Sequence, residues 1–276
     1  MVRKAREEKA ADTGTVARTL AVLTVMAQSG GSVGVTDVAT ALGLPMSTSH
    51  RLLDLLRGAG FVERDAAQRR YRLGLQFLRV ANLVTQNTSF ARLCQPSLER
   101  ITAETGETAL YCEYLPDHHM AAYAAKSDST HSLRYRVTLF DPAPVECGAS
   151  GLAILSFLPS PVRAGVCATP RPSPLSGKRL SSSALAGEVE KTRRKGFAFS
   201  SGEKLPDSIG IAVPVRIAEE RPIGSLTLTI PESRFVKSKL KAYVALLSKE
   251  AELLSTARDE PRPGAVRDAT PRDTGS

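Results

Sequence analysis

The chain is poor in the residues that build several common kinds of site. Its 276 residues include four cysteines, Cys94, Cys112, Cys147 and Cys167. They lie far apart and form no C-x-x-C pair, which argues against a zinc site or a disulfide framework and fits a reducing cytosol. Neither a metal nor a cofactor is expected. No uncharged apolar run is long enough to span a bilayer, and residues 1–14 are polar and charged without an apolar core. Neither a membrane partner nor a signal peptide is therefore expected, and the expected location is the cytoplasm. The G-x-S-x-G, H-E-x-x-H and P-loop signatures are all missing. Acidic residues are in deficit as well: 28 Asp plus Glu face 37 Lys plus Arg, a net charge of +9. An excess of that sign favours a polyanionic partner. The length suffices for two domains, each with its own core.

What is present is concentrated between Thr36 and Leu73. Ala39 is small where two helices would touch, and Gly43 follows where the chain must turn through a left-handed conformation. Pro45 suits the first turn of the next helix, where its missing N–H costs nothing. Before these, Val16, Leu20, Leu23 and Ala27 recur at helical spacing, with Val22 and Met26 beside them, and Gly30-Gly31 ends that supporting helix. Thr36 reads as the N-cap of the second helix and belongs with the DNA-facing residues. In the third helix Leu52, Leu55 and Leu56 should face inward, with Leu53 flanking them. The opposite face carries Ser47, His50, Arg51 and Asp54, with Thr48 beside them. Short donors with one guanidinium and one imidazole suit a major groove, where base edges present acceptors.

Phe61-Val62-Glu63-Arg64 then reads as a strand, Asp65-Ala66-Ala67-Gln68 as a turn, and Tyr71 and Leu73 alternate with Arg70 and Arg72 on a return strand. Arg64, Gln68, Arg69, Arg70 and Arg72 are placed to meet the DNA backbone, which sets register without carrying sequence information. The whole is a helix-turn-helix followed by a wing, and its expected partner is a double-stranded DNA operator.

Leu44-Pro45-Met46-Ser47-Thr48-Ser49-His50-Arg51-Leu52-Leu53, then Gly60-Phe61-Val62 and Arg70-Tyr71-Arg72-Leu73-Gly74, resemble the DNA-binding domain of the IclR family of bacterial transcriptional regulators. Gly151-Leu152-Ala153-Ile154-Leu155-Ser156, Gly196-Phe197-Ala198 and Ile211-Ala212-Val213-Pro214-Val215 resemble that family's effector domain. The resemblance implies a dimer or dimer of dimers whose C-terminal domain senses a small metabolite. Two departures stand out. Ser49 replaces a β-branched apolar residue that faces the core in the family, and Leu152 replaces the usual lysine.

Residues Leu75 to Ser89 read as one helix linking two domains. Cys94-Gln95-Pro96 interrupts the pattern before a helix that stops at Gly106. Strands are expected at Thr108–Tyr114, Met120–Ala125, Leu133–Val137, Ile209–Val215 and Ile223–Ile230, the last strongly β-branched. Helices are expected at Ala149–Leu158, Leu185–Lys195 and Phe235–Leu254, with a Pro/Ser-rich loop over Pro159–Lys178. The fold class is α+β: a winged helix-turn-helix, a linker helix, and a GAF-like domain with an antiparallel sheet flanked by helices. The expected divisions are a mobile arm over 1–13, the DNA-binding domain over 14–74, the linker over 75–90, the effector and oligomerisation domain over 91–256, and a disordered tail over 257–276.

A sensor pocket should be mostly apolar with a few convergent polar groups. The Gly-rich turn Cys147–Gly151 opens a helix, so Ala149 and Ser150 offer N–H groups to a carboxylate. Tyr111, Leu133 and Tyr135 are candidate walls. The resemblance adds Gly210, the alternating hydroxyls Thr227 and Thr229, and Ser200. Glu146 stands where related sequences carry His, placed either to repel an anion or to pair with Arg134. The expected function is a DNA-binding regulator controlled by a small organic or aromatic acid. The competing reading is a thiol enzyme using Cys147 with His118, His119 or His131 as base. It lacks any signature that places a histidine near the thiol, so no catalytic residue is expected.

Overall fold

The structure, a computed structural model, describes residues 14–65, 68–87, 90–135, 137–174, 176–217 and 221–259. The expected arm over 1–13, the turn residues Ala66 and Ala67, the end of the linker at Thr88 and Ser89, and the tail beyond Asp259 lie outside them. The chain divides into two compact units between residues 89 and 90.

Unit 1 contains α1 (Thr15–Gln28), α2 (Val35–Leu42), α3 (Met46–Gly58), β1 (Val62–Asp65), β2 (Arg70–Leu73) and α4 (Leu75–Asn87). Its core joins Val22 and Met26 of α1, Val38 of α2, Leu52, Leu53 and Leu56 of α3, and Val62 and Tyr71 of the ribbon. Each large apolar side chain so buried contributes about 1.5–3 kcal/mol. Gly43 closes α2 at φ +63° and returns its N–H to the Ala39 carbonyl, which makes the sharp turn into α3.

Several local expectations change here. The N-cap of α2 is Gly34, whose N–H donates to the Asp37 carboxylate at 2.8 Å, so Thr36 sits exposed in the first turn. Pro45 is the cap residue of α3, one position before its first turn. Leu53 is fully buried and Leu55 is 52% exposed, the reverse of the expected order. The buried stripe of α3 starts at Ser49 and runs 49, 52, 53, 56; a polar residue at its head hid the phase. On α1 the inward positions are Val22 and Met26, while Val16 and Leu20 face solvent.

Unit 2 contains α5 (Phe90–Thr105), β3 (Thr108–Leu115), β4 (Met120–Ser127), β5 (Ala143–Pro144), α6 (Gly148–Leu155), α7 (Ser160–Ala168), α8 (Ser182–Lys195), β6 (Ala198–Ser201), β7 (Ser208–Ile217), β8 (Arg221–Pro231) and α9 (Leu240–Asp259). The six strands form one antiparallel sheet in the order β5-β4-β3-β8-β7-β6. One face, with Ala109, Tyr111, Ile211, Val213, Leu226 and Leu228, packs against Leu98 and Ile101 of α5 and Leu247 and Leu254 of α9. The other, with Leu110, Cys112, Ala198 and Ala212, packs against Leu152, Ile154 and Leu155 of α6 and Leu185 and Val189 of α8. The chain is thus α+β, with helices on both faces of an antiparallel sheet.

Four expected elements differ. Leu133–Val137 alternates like a strand, but its described residues are irregular, and β4 pairs on its outer edge with β5, at Met120 and Ala121. The supposed loop over 159–178 contains α7, which opens with Pro161 in its first turn. α5 runs through Pro96 without stopping, since Cys94, Ser97, Leu98 and Ile101 on one side of the helix are buried. α9 begins at Leu240 and continues to Asp259, after short 3-10 turns over 232–234 and 237–239.

Candidate functional site: a nucleic-acid interface and a ligand cavity

In unit 1 the burial of Ser49, Leu52, Leu53 and Leu56 turns the opposite side of α3 outward. Ser47, His50 and Arg51 are exposed there, with Thr48 half-buried beside them. His50 Nδ1 lies 2.9 Å from Asp54 Oδ2, and Arg57 Nε donates to the other Asp54 oxygen at 3.3 Å. Arg51 takes part in none of the ion pairs recorded among the described residues, so its guanidinium is available. Ser49 is fully buried and its hydroxyl has no partner among the described residues.

The wing is more selective than its composition suggests. Arg64 is exposed and lies 5.8 Å from the Tyr71 ring centroid, a cation–π contact that aims it along the ribbon. Arg69 is exposed at the turn with φ +52°, and the exposed Gln68 donates its N–H to Asp65. Arg72 bonds Glu63 with both Nε and Nη2, at 3.0 and 2.9 Å. Both partners are exposed, so that pair is worth about 0–1 kcal/mol and gives way easily to a phosphate. Arg70 is different. It donates to the Ser32 hydroxyl, the Ser32 carbonyl and Asp37, tying β2 to the start of α2. These bonds give it a structural role within unit 1.

In unit 2 six of the expected ligand residues converge. The chain enters α6 through Gly148 at φ +70°, and the Ala149 N–H donates to the Ser200 hydroxyl at 3.0 Å. The Ser150 hydroxyl is 2.8 Å from the Tyr123 hydroxyl. Gly210 pairs with Ser200 on one side and Thr229 on the other, and Thr227 lies opposite Ala212. Together with Lys204, Leu205 and Ser208 these residues line a cavity of about 20 Å³, room for one water. Gly210 keeps it open: a Cβ there would stand 2.9 Å from the Ser200 hydroxyl and 3.1 Å from the Ala149 methyl. The Thr227 hydroxyl is buried and has no partner among the described residues. A hydroxyl left so in a polar cavity is suited to an incoming ligand.

Three expected walls are elsewhere. Tyr111 belongs to the opposite face of the sheet, packed edge-on against Phe90. Strand parity decides this, since Leu110 and Cys112 face the cavity side. Leu133 is 65% exposed, and its carbonyl accepts from Arg234. Tyr135 donates its hydroxyl to the Pro206 and Asp207 carbonyls, holding the β6–β7 connection from outside. Glu146 pairs with Arg171 at 2.8 Å, not with Arg134. A larger cavity of about 300 Å³ lies beside that pair, but Arg171 is locked by bonds to Glu146, His118 and His119.

Tyr123 and Lys204 are the residues that sequence reasoning missed. The Lys204 ammonium sits 4.1 Å from the Tyr123 ring centroid. Burial lowers its pKa, but the Tyr123 hydroxyl and the Cys112 and Cys147 thiols more than offset that, so it remains an ammonium. Burial, with Glu146 nearby, pushes the Cys147 thiol up to about 11. A thiol so held is protonated at neutral pH, the opposite of an activated nucleophile. His119 bonds the Tyr114 hydroxyl at 2.9 Å instead.

Comparison with known proteins follows the same division. The model of the IclR helix-turn-helix domain matches residues 15–66, and that of the bacterial transcriptional regulator IclR C-terminal matches residues 82–256. The chain is 26% identical over 240 residues to the HTH-type transcriptional regulator KipR of Bacillus subtilis, covering 87% of this chain and 94% of that one. It is 25% identical over 249 residues to the transcriptional repressor IclR of Escherichia coli, covering 88% and 89%. Among solved structures, an IclR homolog from Microbacterium hydrocarbonoxydans complexed with 4-hydroxybenzoate shares the fold. Its TM-score is 0.72 at 24% identity, covering 88% of this chain and 98% of that one.

Proposed function

Because the chain belongs to the IclR family of bacterial transcriptional regulators, we propose that it is a DNA-binding regulator that recognises a specific operator and responds to a small organic or aromatic acid. Ser47, Thr48, His50 and Arg51 read base edges, with Thr36 nearby. Arg64, Gln68, Arg69 and Arg72 hold the phosphates. The DNA-binding domain spans 14–74, the linker 75–90 and the effector domain 91–256. The observation that carries the reading is the exposed Ser47–His50–Arg51 face of α3, set against four buried residues on its other side.

The effector site is the cavity of Ala149, Ser150, Ser200, Gly210, Thr227 and Thr229. Its orphan Thr227 hydroxyl and Lys204 ammonium suit a carboxylate, and a relative of the same fold binds 4-hydroxybenzoate. No catalytic role is assigned to any residue. The protein works as a homo-oligomer in the cytoplasm. Support comes from apolar side chains facing solvent on unit 1, among them Val16, Leu20, Leu75, Leu78 and Leu83. Among the described residues no helix is long and apolar enough to cross a membrane.

Fluorescence anisotropy on duplexes tests the reading. Specific binding should fall steeply with salt, at a slope of about −0.9 per phosphate neutralised. A salt-independent affinity contradicts it.

A further inference from the structure

Two cavities of unit 2 share a wall. The inner one, of about 20 Å³, holds the hydroxyls of Ser150, Ser200, Thr227 and Thr229. The outer one, of about 110 Å³, is bounded by Val137, Pro142 and Asp141. Tyr123, Lys204 and Leu205 line both. Lys204 stands on the connection between β6 and β7, where Gly202 and Asp207 both have positive φ. Its ammonium rests on the Tyr123 ring at 4.1 Å, and its Cβ comes within 3.0 Å of the place a side chain at Gly148 would take. The groups that act on its charge are a phenol and two thiols, with no carboxylate among them. Lys204 is in none of the six ion pairs described in this unit; the three with a buried carboxylate join Glu146 to Arg171, Glu107 to Arg234 and Glu250 to Arg100.

We propose that Lys204 is the specificity-determining residue of the effector site: it divides one chamber in two while empty, and turns from Tyr123 to pair with the carboxylate of the entering ligand. This rests on the reading of that cavity as the effector site. Three features converge on it. An inner cavity the size of one water admits no organic acid until the Lys204–Leu205 wall moves, and joining it to the outer cavity makes room for one. A desolvated ammonium held only by a ring face and a hydroxyl lacks its natural counter-charge. The unpartnered Thr227 hydroxyl lies on the inner side, where the far oxygen of that carboxylate needs a donor.

The test uses the full chain, its Lys204→Met, Lys204→Gln and Lys204→Arg variants, and paired neutral and charged probes: acetate, benzoate and phenylacetate, each with its amide. Thermal shift and isothermal titration are the readouts. At least one acid should stabilise the wild type more than its amide. Lys204→Met and Lys204→Gln should weaken that acid by about tenfold or more and leave the amide nearly unchanged, while Lys204→Arg keeps the acid preference. Acids that stabilise wild type and Lys204→Met alike overturn the role of Lys204 and leave the effector reading standing. A wild type unmoved by every acid and amide overturns the effector reading, and this inference with it.

Discussion

His50 and Asp54 are joined across one turn of α3, Nδ1 to Oδ2 at 2.9 Å. The bond fixes the imidazole through Nδ1 and leaves Nε2 outside the pair, on a side chain that is exposed like Ser47 and Arg51. Asp54→Ala frees the ring and removes one negative charge from the side of α3 proposed to face DNA. The specific duplex should lose affinity relative to a non-specific one, whose binding stays equal or improves. Competition anisotropy with both duplexes measures the gap.

Arg51 and Arg64 should fail in different ways. Arg51→Ala costs about 1–3 kcal/mol at one base position if it meets a guanine, and relaxes the preference there. Arg64→Ala weakens all sequences alike and reduces the salt slope by about one. Anisotropy over a set of singly substituted operators at several salt concentrations separates the two.

Ser49 stores a correctable defect. Its hydroxyl is wholly buried without a partner. Ser49→Ala removes the unsatisfied group and should leave stability unchanged or raise it by about 1 kcal/mol. Urea denaturation measures this, with an unchanged m-value.

Gly151 and Gly210 have different duties, although both lie near the cavity. A Cβ at Gly151 would stand 2.3 Å from the Val145 carbonyl oxygen, a backbone atom that cannot step aside. Gly151→Ala should therefore cost about 1–3 kcal/mol or more. Gly210→Ala meets the movable Ser200 hydroxyl at 2.9 Å and fills the cavity instead. It should abolish the thermal response to acids and leave DNA binding intact.

Acid lability should report on Glu250. Burial pushes its carboxyl up, but hydrogen bonds from Arg100 and Ser97 and the Arg100 charge outweigh this and hold it below the usual value. A depressed folded pKa contributes stability that is present above the unfolded value near 4.5 and is lost as pH falls through the folded value. Glu250→Gln should thus be less stable than wild type at pH 7, with the difference shrinking below pH 4.5. Melting curves across that range check the sign.

Much of this molecule was legible from residue pattern, and the exceptions share a physical origin. The helix-turn-helix was readable because Ala39, Gly43 and Pro45 answer local backbone demands. Ala149, Ser150, Ser200, Gly210, Thr227 and Thr229 meet in one cavity, though they come from four separate segments. Tyr111 was misplaced by one step of strand parity, which inverts the face. Arg70 looked like Arg64 and Arg72, and only the fold brings Ser32 and Asp37 to it. Lys204 sits in Ser-Ser-Gly-Glu-Lys, a stretch that reads as a solvated turn; nothing local signals that the turn folds over Tyr123. Leu133–Val137 has strand periodicity, yet its described residues join no strand. Pro96 and Pro161 each suggest a break, yet packing carries one helix through the first, and the second lies in the opening turn of the other.

The most direct test of the whole account is selection of duplexes from a random pool by the full chain, in parallel with Arg51→Ala. The expected result is an enriched motif with two-fold symmetry, in which Arg51→Ala loses preference at one base of each half-site while the rest persists. A pool that stays random with the wild type, or an identical motif from both proteins, would contradict it.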